Sequence, residues 1–153
     1  MAHTAAIALV IAAITVPARI GWAETVAETV RAWELVGKWS PDCSRPPTER
    51  NGQDIYFVTP AGRVGRDRDF GRRYDRKEVK QALARSDGLE LIVYCPQSAK
   101  LRQITLIKAP DGRLRTMTER DVDTEEYTIK DGKFAATGAD TPWKMRCFDH
   151  LAH

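Results

Sequence analysis

Histidine is scarce in this chain. Of three in 153 residues, His150 and His153 lie at the very end and His3 near the start. That excludes a Ser–His or Cys–His nucleophile pair in the body of the protein. Also absent are the His-Glu-x-x-His helix, the phosphate-binding P-loop, a Gly-x-Gly-x-x-Gly turn after a strand and the Gly-x-Ser-x-Gly elbow. Carboxylates are plentiful, but no pair stands out as an acid and base. The expectation is a protein that is not an enzyme and carries no cofactor. The tail Cys147, His150 and His153 has ligand types that zinc accepts. Chain ends are usually solvated and mobile, so no metal is expected there.

Long apolar runs are also missing, with one exception at residues 5–14, continued weakly to Val16. This run falls short of the roughly 20 apolar residues a membrane span needs. Small residues at Val16-Pro17-Ala18 and Gly21-Trp22-Ala23 suit a signal peptidase. The layout predicts a secretory signal peptide over residues 1–23, cut after Ala23 or, alternatively, after Ala18. The protein is then periplasmic, without a membrane span, in a compartment where disulfides persist. Residues 24–153 remain, the size of one ordinary domain. Nothing in them asks for an oligomer, and a monomer is expected.

Charge of one sign is not in excess. Without residues 1–23 the chain has 23 basic and 21 acidic side chains, near neutral. This argues against a nucleic-acid partner. Locally the balance shifts. Residues 63–80 hold eight basic and four acidic side chains, and residues 119–126 hold five acidic ones against Arg120. Such runs usually form a solvated strand face and loop, and that is the reading taken here. The alternative is a basic patch for an anionic ligand or surface.

Residues 25–35 read as a short helix, with Val26, Val30 and Trp33 on one face and Gly37 as its stop. Strand and turn signals follow. Strands are predicted at 36–39, 55–58, 89–94, 101–108, 113–120, 127–130, 133–136 and 143–148. Asp131-Gly132 is the dipeptide of a type I′ hairpin. Residues 72–85 contain good helix formers, but Val79, Gln81 and Leu83 alternate with charges, and a strand is expected. Short strands joined by Gly and Asp turns make an all-β antiparallel meander, which usually closes as a barrel or folds as a sandwich.

Three cysteines allow three pairings. Trp39-Ser40-Pro41-Asp42-Cys43 and Trp143-Lys144-Met145-Arg146-Cys147 bracket the predicted domain. In a closed meander the first and last strands are neighbours, so Cys43 and Cys147 can meet. The favoured pairing is Cys43–Cys147, with Cys95 left as a small apolar side chain. Trp33, Trp39 and Trp143 read as packing residues; lining a ligand cavity is the alternative.

Gly37-Lys38-Trp39, after a helix and at the opening of the first strand, resembles the Gly-x-Trp signature of lipocalin-like (calycin) barrels. The resemblance implies an antiparallel meander closed as a β-barrel. It also implies that Trp39 closes one end, with Arg146 or Lys144 from the last strand packed over it. A second likeness is to small, uncharacterised periplasmic proteins of alphaproteobacteria. It is carried by residues 37–46, with Gly-x-Trp and Asp-Cys-Ser, and by 141–147, with Thr-Pro-Trp before a final Cys. It implies the periplasm and the terminal disulfide, but no activity.

The expected function is non-catalytic binding of a small apolar or amphipathic ligand in the barrel or at its mouth. Barrels of about eight strands hold one such ligand or are filled by side chains. Gly37, Trp39, Trp143 and Arg146 are the expected packing or lining residues. The alternative is a protein-interaction module. Some bacterial metalloprotease inhibitors are small periplasmic barrels with a similar Gly-x-Trp opening and a disulfide; in that likeness, residues 24–31 form the contacting arm.

Overall fold

The computed structural model describes residues 24–148, so the predicted signal peptide and both C-terminal histidines lie outside the described residues. Helix α1 (Val26–Ala32) comes first. Its start is a capping box. Thr25 Oγ1 accepts from the Glu28 amide at 3.2 Å, and Glu28 Oε2 accepts from the Thr25 amide at 2.8 Å. These bonds satisfy two amide donors that would otherwise be unpaired. The helix stops before Gly37. Glu34 takes φ 55°, and the Leu35 amide donates back to Val30 O at 2.8 Å.

Ten strands follow. They are β1 (Gly37–Ser40), β2 (Gln53–Val58), β3 (Val64–Asp69), β4 (Tyr74–Arg85), β5 (Gly88–Cys95), β6 (Lys100–Lys108), β7 (Leu114–Asp121), β8 (Tyr127–Lys130), β9 (Lys133–Phe134) and β10 (Met145–Cys147). All pairings are antiparallel, in the order β10-β1-β2-β3-β4-β5-β6-β7-β8-β9. The ambiguous segment is strand β4, because pairing with β3 and β5 on both sides overrides its helix formers. Strand β3 falls in the run read as strand face and loop, where no strand bounds were assigned. Its sequence, Val-Gly-Arg-Asp-Arg-Asp, is charged on both faces and lacks the usual apolar alternation. In the β8–β9 hairpin, Asp131 and Gly132 take φ 50° and 71°, as a type I′ turn requires.

The meander curls into a barrel-like sheet, but no ladder closes it. Instead Leu114 and Lys144 exchange both backbone hydrogen bonds, at 2.8 Å each. Lys144 directly precedes β10, so a single bridge draws the sheet into a ring. A Cys43–Cys147 disulfide spans 104 positions, with a Cα–Cα distance of 5.4 Å. It ties the loop after β1 to the end of β10. The loop-closure model assigns about 4 to 5 kcal/mol to such a bridge. Cys95 is the free, buried cysteine.

The core fills the helix end of the ring. Leu89, Leu91 and Val93 of β5 face Ile104 and Leu106 of β6, Val79 of β4 and Val64 of β3, all buried. Ala27 and Val30 of α1, with Leu35, lie in the same cluster. Burying each large aliphatic side chain contributes about 1.5–3 kcal/mol before conformational entropy is counted. The interior of this end is filled by apolar side chains; a space of about 370 Å³ opens beside it, bordered by Glu34, Trp39, Lys108 and Arg146 among others.

Candidate functional site

Strand pleating places every second residue inside. On β2 and β3 the inward set is Asp54, Tyr56 and Val58 against Arg68, Arg66 and Val64. Arg66, Arg68 and Val64 in turn oppose Lys77, Asp75 and Val79 of β4. The same strands thus run from apolar residues at the helix end to charged residues at the other. Arg102 of β6 and Glu119 of β7 continue the charged band, and Lys144 reaches in from beside β10.

Asp54 is the hub of one group. It is 4% exposed. Arg66 donates to its Oδ1 through Nε at 3.2 Å and Nη2 at 3.0 Å, and Lys144 Nζ donates to Oδ2 at 2.5 Å. Arg68 Nε stands 3.9 Å from Oδ1. Burial alone would raise the Asp54 pKa, but the charges of Arg66, Lys144 and Arg68 outweigh it and hold the carboxyl well below its usual range. Glu119 centres the second group, with Arg102 Nε 3.1 Å from Oε1. Burial raises its pKa, and Arg66, Lys77, Arg68 and Arg102 more than offset that.

Two cations are left under-satisfied. Arg66 is 3% exposed, and its Nη1 has no hydrogen-bond partner among the described residues. Its guanidinium carbon lies 5.6 Å from the centre of the Tyr56 ring, whose buried hydroxyl also lacks a partner. Lys77 is 8% exposed, with no ion pair or hydrogen bond among the described residues. Burial, then the charges of Arg66 and Arg68, push its ammonium below the usual lysine pKa. The run 63–80 is a solvated face only in part: Arg63, Arg72, Arg73, Arg76 and Lys80 are exposed, but Arg66, Asp67 and Lys77 are buried.

Beside these groups lie two lobes of open space. One, of about 370 Å³, is bordered by Arg68, Lys77, Cys95, Arg102, Glu119 and Phe134 among others. The second, of about 310 Å³, is bordered by Asp54, Arg66, Arg68, Glu119, Phe134, Thr141 and Lys144 among others. Arg68, Glu119, Ile129 and Phe134 border both. Together the two linings contain seven cations and five carboxylates.

The residues singled out from sequence are at the other end. Trp39 is 2% exposed and donates from Nε1 to Leu35 O at 2.8 Å. Arg146 is its cross-strand partner. The Arg146 guanidinium does not stack on Trp39; Nη2 donates to Val36 O at 2.7 Å. Gly37, at φ 138°, makes room for it, since a Cβ there would meet Arg146 Nε at 3.0 Å. Lys144 turns to Asp54 instead of Trp39. Trp143 lies apart, with Arg113 and Arg115 each 5.5 Å from its ring. Lys108 covers Trp33 at 4.5 Å. Neither Trp33, Trp39 nor Trp143 borders the charged space, but Trp39 and Arg146 both border a third space of about 370 Å³ at the helix end. Most of residues 24–31 lies in α1, with Ala27 and Val30 in the core, so this segment is not an extended arm.

Sequence reasoning missed the charged band. The available signal was the spacing of two in Asp54/Tyr56, Arg66/Arg68 and Asp75/Lys77 between turn residues. Among the described residues no group of His, Cys, Asp or Glu is arranged to hold a metal. No helix there is long and apolar enough to cross a membrane. Compared with protein-family models, curated proteins and solved structures, the chain matches none.

Proposed function

We propose that this protein is exported to the periplasm and binds one small amphipathic molecule at the charged end of its barrel, without catalysing a reaction. The observation that carries this reading is the open space beside Arg66, Lys77 and Glu119. Its two lobes, about 370 and 310 Å³, are each at the lower end of the range for small-molecule sites. The interior of the helix end is filled by side chains, and the space beside Trp39 and Arg146 lacks the buried, under-satisfied charges of the other end, which argues for a ligand at the charged mouth. Ile129 and Phe134 supply an apolar wall, and the charged band supplies a polar one. The Cys43–Cys147 disulfide is compatible with an oxidising compartment.

The test is a native mass spectrum of the full chain expressed with export and purified without reductant. The expected species starts at Glu24, lacks two hydrogens, and carries extra mass that is lost on denaturation. An oxidised, cleaved protein that never carries extra mass, even after incubation with periplasmic extract, overturns the binding reading. A chain that keeps residues 1–23 and three free thiols overturns the export reading.

A further inference from the structure

The charged band carries more positive charge than it neutralises. Seven cations against five carboxylates border the two lobes. The excess is focused on buried side chains. Arg66 Nη1 is a buried donor with no acceptor among the described residues, and Lys77, 8% exposed and bordering the first lobe, makes no ion pair or hydrogen bond there, Glu119 being the carboxylate whose charge acts on it. Arg68 is held only at 3.9 Å from Asp54, its guanidinium carbon 4.9 Å from the Phe70 ring centre. Such an arrangement is costly in the free protein. Desolvated charge needs a partner, and a buried donor without an acceptor forgoes the hydrogen bonds it would make to water.

We infer that the ligand is an organic oxyanion, with its carboxylate or phosphate head between Arg66, Arg68 and Lys77 and its apolar part on Ile129 and Phe134. This rests on the binding reading above and specifies its ligand. The cross-strand register supports the head position, because Arg66 directly opposes Lys77, and Arg68 is the next inward residue of β3. Arginine forks suit carboxylate and phosphate oxygens, and charge-assisted bonds in a shielded site are the strong ones. The apolar tail position follows from Ile129 and Phe134, which oppose each other in the β8–β9 hairpin and border both lobes. Glu119 also borders both lobes; its negative charge opposes an anionic head, and the ion pair with Arg102 at 3.1 Å offsets that charge.

The experiment is calorimetric titration of the oxidised full chain with decanoate, decyl phosphate and decanol, which have the same tail and differ in the head. At least one of the two anions is expected to bind, with decanol at least about tenfold weaker, the equivalent of one charge-assisted bond. Lys77→Met and Arg68→Gln each lower anion affinity by about tenfold or more. Both leave the Arg66–Asp54 pair intact, so loss of fold is a small risk, and circular dichroism checks it. Equal binding of decanol and the anions overturns the oxyanion inference and leaves the binding reading standing. Binding of decanol alone does the same. Absence of binding by all three at millimolar concentration counts against both. Anion affinity unchanged in Lys77→Met and Arg68→Gln overturns the placement of the head.

Discussion

At the helix end of the ring the inward residues of β5 and β6 are Leu89, Leu91, Ile104 and Leu106, and they are covered by other apolar side chains. Along the neighbouring strands, one or two inward positions further, the residues become Arg66, Lys77, Arg102 and Glu119. The two regions share strands, pleat and solvent shielding. They differ in how a side chain is satisfied. An aliphatic group needs only neighbours at van der Waals distance, so that end can be filled completely. A buried charge needs a specific partner at a specific distance, and this band supplies too few acceptors for its cations. One end therefore serves stability, while the other carries an energetic penalty that, under the proposed function, a bound anion would relieve.

The largest test of that contrast is Asp54→Asn. The substitution removes the carboxylate that Arg66 and Lys144 share and leaves both cations buried without it. Breaking one side of such a group costs about 3–5 kcal/mol. We expect a loss of about 4 kcal/mol in urea unfolding followed by circular dichroism; a loss below about 1 kcal/mol breaks the comparison. The matching change at the other end is Leu91→Ala, at a fully buried position. A cavity there costs about 3 kcal/mol, with anion affinity unaffected. Removing the strap with Cys43→Ala and Cys147→Ala is expected to cost about 2–3 kcal/mol, less than the ideal loop-closure value because the unfolded chain is not a random coil. The disulfide lies outside both regions, so hydrogen exchange should rise at both ends of β2 to β7 in that variant.

The apolar end was legible in the sequence for the same physical reason that it is stable. Residues 89–94 are an almost continuous apolar run bounded by turn residues, and such a short run marks a strand buried in a core. The Cys43–Cys147 pair followed from the neighbouring first and last strands. The charged end was not legible. Arg66, Arg68 and Lys77 follow a period of two, but charged side chains default to solvent, and Asp67 and Asp69 on the opposite face hide the alternation. Whether a charged strand face points inward depends on partners distant in sequence, such as Asp54 with Lys144. The Trp39–Arg146 contact was half legible. The register brought the two residues opposite each other, but the free carbonyl of Val36 captured the guanidinium in place of the indole ring.

The smallest expected effect is also the one that separates the two regions by sign. Every truncation at the apolar end destabilises, whereas Lys77→Met should stabilise by about 1 kcal/mol in the absence of ligand, since it replaces a largely desolvated ammonium that makes no ion pair or hydrogen bond among the described residues by an apolar chain of similar length. Desolvation, then Arg66 and Arg68, outweigh the opposing charge of Glu119 and lower the folded-state pKa of Lys77 below the usual value of 10.5. Below both values the lysine is charged in the folded and unfolded chains alike, and the whole penalty is present. As pH rises from the folded-state value toward 10.5, the folded protein binds fewer protons than the unfolded chain, and the penalty is relieved. The stability gap between Lys77→Met and the unaltered protein should therefore be largest near neutral pH and shrink as pH rises toward about 10. The same gap should close or reverse at neutral pH when a saturating anion is added, because binding stabilises the protein that retains Lys77 more than the variant. A variant less stable than the unaltered protein, or a gap independent of both pH and anion, means that Lys77 is already satisfied and the two ends of the barrel are energetically alike.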